Sequence, residues 1–149
     1  HFGAYFQDLV AHVTIRDVTL TVHNLSGYDL WATGWGVNIG TATNDYDGDG
    51  VPNLGEYALG GNPTNGLYTG EVPVFSIVDG IGRYVHPQRS DDTRLAYTVE
   101  TSTNLINGAW TNSGYVVSGT NVTGGLLNYV TNSVPTDQGQ TYIRLKVGK

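Results

Sequence analysis

Apolar and polar positions alternate along His12-Val13-Thr14-Ile15-Arg16-Asp17-Val18-Thr19-Leu20-Thr21-Val22. Val13 and Ile15 share one parity, Val18, Leu20 and Val22 the other. A period of two predicts a half-buried strand, and the change of parity at Arg16-Asp17 fits a bulge or bend. Residues 1–24 therefore read as a β-strand segment, either the last strand of an upstream domain or an added strand of the domain that follows. Residues 25–66 differ in kind. Leu30 to Trp35 predicts a helix of about two turns with Trp31 and Trp35 on one face. Leu54, Tyr57, Ala58 and Leu59 recur at helical spacing and end at Gly60-Gly61-Asn62-Pro63. The reading there is helix, loop, helix. From residue 67 to 149 the chain is strand-like, with candidates at Val72–Val78, Arg83–His86, Leu95–Thr101, Tyr115–Val117, Leu126–Thr131 and Thr141–Val147. Strands about ten residues apart predict a small antiparallel β-sandwich. The fold class expected is mainly β, a small antiparallel sandwich preceded by a helix–loop–helix.

The loop between the two helices carries the chemistry. Asp45-Tyr46-Asp47-Gly48-Asp49-Gly50-Val51-Pro52-Asn53-Leu54-Gly55-Glu56 places oxygen ligands at loop positions 1, 3, 5, 9 and 12, with glycine at 6. Ca²⁺ takes six to eight hard oxygens, and three closely spaced carboxylates repel one another until a cation neutralises them. The expected ligands are Asp45, Asp47, Asp49, the Val51 carbonyl, Asn53 and Glu56, with Gly50 permitting the sharp turn and Glu56 closing the shell. The other reading of the same residues is an acidic, solvated, glycine-rich loop.

Charge supports a local site. The chain carries a formal charge of −6, and Asp45, Asp47, Asp49 and Glu56 account for most of it. The seven basic residues are scattered, so the basic footprint that nucleic-acid binding requires is missing. Cysteine and methionine are absent, which excludes disulfides, thiolate zinc sites and thiol catalysis. No apolar run is long enough for a membrane helix, and no signal peptide is seen. Without an initiator Met, the chain reads as a fragment or a processed product.

The segment Asp-x-Asp-Gly-Asp-Gly-x-x-Asn-x-x-Glu-Tyr-Ala-Leu-Gly-Gly-Asn-Pro, within residues 28–63, resembles the calcium repeats of thrombospondin type 3 and dockerin-like segments. It is more similar still to a segment near the C-termini of large secreted bacterial proteins, where it follows a short Trp/Tyr helix and precedes a β-sandwich. Asn62 stands where such segments often carry Asp. Tyr97 to Leu105 followed by Trp110 is similar to the strand, Ser-Thr-Asn-Leu and Trp of that sandwich, and Ile15 to Val22 looks like the closing strand of a jelly roll. The resemblance implies an upstream jelly roll ending in residues 1–24, an EF-hand-like calcium module over 25–66 and a sandwich over 67–149. It further implies a secreted, non-catalytic carbohydrate-binding module attached to an upstream catalytic domain that degrades polysaccharide.

A glycan site is expected on Arg83, Tyr84, His86, Gln88 and Arg89, with Trp110 as a stacking platform if it lies on an open loop. Aromatics stack on the C–H faces of sugars, and arginine forks suit the carboxylate or sulfate of an acidic algal glycan. The same stretch also reads as an edge strand protected by its charges, with Trp110 filling the core. No nucleophile elbow, phosphate loop or His-x-x-x-His pair is present. Asp91, Asp92 and Glu100 are the carboxylates left for catalysis in the sandwich, and no catalytic residue is assigned. Two further functions stay open: a calcium-stabilised spacer that attaches to protein or cell surface, and a small glycan hydrolase or lyase.

Overall fold

A computed structural model describes residues 27–137 and 139–149; the strand expected over residues 1–24 lies outside them. The described residues form two short helices, α1 (Gly27–Gly34) and α2 (Asn53–Leu59), followed by six strands. These are β1 (Val74–Val78), β2 (Ile81–Arg89), β3 (Ala96–Ser102), β4 (Val116–Asn121), β5 (Leu127–Val134) and β6 (Tyr142–Gly148). The chain is mainly β, and every strand pairing is antiparallel. Sheet order is β1-β2-β5-β4 in one sheet and β3-β6 in the other.

Each strand follows from local chemistry. β1 and β2 join through Asp79-Gly80, both at positive φ (52° and 76°), with Val78 opposite Ile81. Asp-Gly suits a type I′ turn, whose twist matches that of the flanking strands. Along β2, Tyr84 and His86 are buried while Arg83 beside them is exposed, the two-residue alternation of a sheet with one covered face. Pro87 is tolerated because it lies beyond the end of β1, whose last partner is Val85, so β2 has only β5 beside it there. A register shift between Val117 and Gly119 puts a bulge in β4.

Two clusters hold these elements. Tyr84, Val99 and Val134 are buried together, with Tyr115, Ile143 and Leu145 against them, and so join residues of both sheets. Tyr28, Tyr57, Ala58 and Leu95 form the second, with Trp31, Leu54, Tyr97 and Val147 around them. In that cluster Trp31 stacks among Tyr28, Tyr57 and Trp35 at centroid distances of 5.3–5.7 Å. The i, i+4 spacing of the two tryptophans thus puts them in contact, with Trp31 in the same cluster as the sheet residues Tyr97 and Val147.

α2 has seven residues, too few to persist alone. Its last four carbonyls, which have no partner within the helix, are all satisfied from outside it. Gly61 N–H donates to Glu56 O (2.7 Å), Arg89 Nη1 to Tyr57 O (2.8 Å), Tyr97 Oη to Ala58 O (2.9 Å) and Glu71 N–H to Leu59 O (2.8 Å). Two of these donors sit on β2 and β3. The helix is thereby fastened to the strands, and Gly60 in the left-handed region (φ 75°) turns the chain away.

Candidate metal centre

The acidic loop leads into α2. Its entry is held by Asn53 N–H donating to Asn44 O (2.7 Å) and Leu54 N–H to Ala42 O (2.9 Å). Inside the loop, Asp45 accepts the N–H groups of Gly48 (2.8 Å), Asp49 (3.2 Å) and Gly50 (2.8 Å). Asp49 Oδ1 accepts Val51 N–H at 2.8 Å, and Asp47 Oδ1 accepts Asp49 N–H at 3.3 Å. Gly48 and Gly50 both take positive φ, 78° and 93°, so side chains at either position would strain the turn. The result is a loop curled around its own acids: carboxylate oxygens of Asp45, Asp47 and Asp49 lie within 4.8 Å of one another.

Glu56 decides what this arrangement is for. Its side chain is fully buried, and neither carboxylate oxygen has a hydrogen-bond partner. Asp47 Oδ2 and Asp49 Oδ2 are likewise buried without a partner. Burial, then the charges of Asp47, Asp49 and Asp45, push the Glu56 carboxyl up from 4.5 to about 7. A buried unpaired carboxylate costs several kcal/mol, and a hard cation held where the oxygens of Asp45, Asp47 and Asp49 converge would offset the charge around Glu56 and reduce the repulsion. A solvated acidic loop does not account for Glu56, because Glu56 is not solvated. The donor set is all oxygen, which suits Ca²⁺ or Mg²⁺ and not a soft metal.

Asn53, an expected ligand, is tied firmly into the protein. It is fully buried, donates from its amide to the carbonyls of Ile39 (2.8 Å) and Thr41 (3.1 Å), and accepts Tyr46 N–H at 3.3 Å. The side chain clamps the loop to the segment before it, a task that needs the NH₂ group an aspartate lacks.

The expected glycan residues are not brought together on one open face. Tyr84 and His86 point into the interior, while Arg83 is on the opposite, exposed side of β2. His86 stacks on Tyr97 at 6.0 Å, and burial lowers its pKa from the ordinary 6.5. Gln88 is half-buried. The Arg89 side chain is 9% exposed, lies 4.0 Å over the Tyr57 ring and is forked onto Asp91 at 2.6 and 3.2 Å. β2 is flanked by both β1 and β5 as far as Val85 and by β5 alone from His86 to Arg89, so the expected edge strand holds only for the second half of the stretch. Trp110 is half-buried with Arg144 stacked on it at 4.1 Å, and Arg144 is paired with Glu100 at 2.7 Å.

The other carboxylates weighed for catalysis are also paired with arginines. Asp92 is buried, accepts from Arg94 at 2.8 Å and from Tyr57 Oη at 2.9 Å, and is held at a pKa of about 2, first by Arg94. The Tyr57 hydroxyl is raised to about 12 by burial and by that bond. These contacts join α2 to the start of β3 and leave no mark as a local pattern. No helix among the described residues is long and apolar enough to cross a membrane. In comparisons with known proteins the chain matches no family model, no curated protein and no solved structure.

Proposed function

We propose that the chain is a non-catalytic carbohydrate-binding module of a secreted bacterial polysaccharide-degrading enzyme, built as a β-sandwich behind a helix–loop–helix that holds one structural Ca²⁺. The observation that carries the calcium is Glu56, buried and unpartnered beside three aspartates. Asp45, Asp47, Asp49, the Val51 carbonyl and Glu56 would hold the ion, with Asn53 bracing the loop from behind. The ion supplies positive charge and nothing reactive. Its effect passes along the chain: Glu56 belongs to α2, and α2 is fastened to β2 and β3 through Arg89 and Tyr97. Filling the site locks two helices that are too short to persist alone. Millimolar extracellular calcium fills such a site even at modest affinity.

Polysaccharide binding rests on the family resemblance of the calcium segment and the strands after it. Its benefit to the upstream catalytic domain is effective concentration. Affinity electrophoresis through gels containing neutral or acidic polysaccharides, with calcium and then with chelator, tests it. Retardation by one glycan class is expected, and migration unchanged in every gel would contradict it. The second reading, a spacer that attaches to protein or to a cell surface, is favoured by β1, where Val74, Phe75, Ile77 and Val78 are all exposed.

A further inference from the structure

In the acidic loop Asp45, Tyr46, Gly48 and Gly50 are exposed, yet Asp47 Oδ2 and Asp49 Oδ2 are closed to water. A second piece of chain, the turn that follows α2, packs against these two aspartates. A Cβ at Gly66 would lie 3.1 Å from Asp49 Cβ and 3.8 Å from Asp47 Oδ1. At the base of the same turn, a Cβ at Gly61 would lie 2.9 Å from Glu56 Cβ. The turn therefore packs on three of the expected ligand residues, and at both points it does so with glycine.

Its own structure keeps it there. Asn62 N–H donates to Tyr68 O (3.0 Å), Asn65 N–H to Asn62 O (3.0 Å) and Tyr68 N–H to Asn65 O (2.9 Å). Asn62 Oδ1 accepts both the N–H (3.0 Å) and the hydroxyl (2.8 Å) of Thr64. Pro63 is fully buried and anchors the turn from below.

We infer that the Asn62–Tyr68 turn is the outer wall of the metal site, and that by excluding water from Asp47, Asp49 and Glu56 it makes the site selective for calcium over magnesium. The inference rests on the calcium reading and goes beyond it, because it assigns part of the discrimination between the two ions to a segment outside the ligand loop. Mg²⁺ surrenders its waters reluctantly and keeps several of them when bound, whereas Ca²⁺ accepts a shell made almost wholly of protein oxygens. A walled site favours the ion that gives up its water more readily. Gly66 is a positioning residue: a Cβ there crowds Asp49 by a few tenths of an ångström and a larger side chain by more, moving the wall outward, readmitting water and relieving the penalty on Mg²⁺.

Calorimetric titration of the intact chain with CaCl₂ and, separately, MgCl₂ tests this in the wild type, Gly66→Ala and Gly66→Val. Gly119→Ala, at a glycine with open space around it, serves as the control. Calcium affinity is expected to fall roughly tenfold or more in Gly66→Val, in the range known for residues that support metal ligands, and by less in Gly66→Ala. Magnesium affinity is expected to hold or rise, so that the calcium-to-magnesium ratio collapses while Gly119→Ala keeps it. Should Gly66→Val not fold, Gly66→Ala decides alone. Unchanged calcium and magnesium affinities in the Gly66 variants would overturn the wall while leaving the calcium site standing. An equal loss of both ions would overturn the selectivity. A wild type that binds neither ion would remove the calcium reading and the wall together.

Discussion

The acidic loop with α2 and the hairpin β1–β2 depart from ordinary protein surfaces in opposite directions. Around α2, groups that belong in water are buried: Glu56 and the outer oxygens of Asp47 and Asp49 have neither solvent nor a partner. Along β1, groups that belong in a core are in water, with Phe75 50% and Ile77 64% exposed. A buried carboxylate is specific in what it demands. It asks for positive charge, hard enough for oxygen and small enough to sit among three aspartates, and that description names a class of ion. An exposed valine or isoleucine asks only for apolar area. The first region therefore carries a mechanism down to single residues, while the second carries a surface.

Glu56→Gln separates the two most sharply, because it should move stability and binding in opposite directions. Without metal at pH 8, wild-type Glu56 must ionise against a folded-state value of about 7, raised from 4.5. Removing that charge should stabilise the chelated protein by roughly 3 kcal/mol, from the conversion of about 1.36 kcal/mol per pKa unit. Calcium affinity should fall by roughly a hundredfold or more, since even supporting residues cost up to that much. Urea unfolding with chelator, alongside calorimetric titration, checks both. A chelated variant no more stable than wild type would mean that Glu56 is not strained by its neighbours.

A smaller effect is expected where the two regions meet. Arg89 and Arg83 share β2, but Arg89 holds the Tyr57 carbonyl and covers its ring, whereas Arg83 is exposed on the other face. Arg89→Ala should cost about 2–3 kcal/mol, through an orphaned helix carbonyl and lost packing, and Arg83→Ala under about 0.5 kcal/mol. Urea midpoints measure the difference. Equal effects would break the claim that α2 is fastened through β2.

The same contrast shows what the residues alone reveal. Spacing within a loop is local, so the convergence of Asp45, Asp47 and Asp49 is legible from the sequence. Period-two alternation is local too, and all six strands fall where it places them, to within a few residues at their ends. Asn53 fits the ligand pattern because its loop position allows one. That it is Asn and not Asp is the signal for its other task, since buried carbonyls need a donor and a carboxylate has none. The stretch Arg83 to Arg89 reads as one polar surface by composition, although its own alternation sends Tyr84 and His86 inward and Arg83 outward. Asp79-Gly80 is a hairpin signal that strand periodicity by itself passes over. The ties that fasten α2 to the strands, Arg89 to Tyr57, Tyr97 to Ala58 and Tyr57 to Asp92, span more than thirty residues each and leave no trace in local pattern.

The central claim is that a cation relieves Glu56 and so stabilises the whole fold. It is tested most directly by calorimetric melting of the stripped protein and of the calcium-saturated protein, at pH 5 and at pH 8. A carboxyl whose folded value is raised contributes fully to stability below its unfolded value near 4.5, and that contribution is lost as pH rises through about 7. His86 has the opposite sign: its folded value is lowered, so it weakens the fold as pH falls below 6.5, but equally with and without metal. The expected result is a higher melting temperature with calcium at both pH values, by about 10 °C near a hundredfold excess over Kd, and a wider gap at pH 8 than at pH 5. Coincident melts with and without calcium at pH 8 would contradict it.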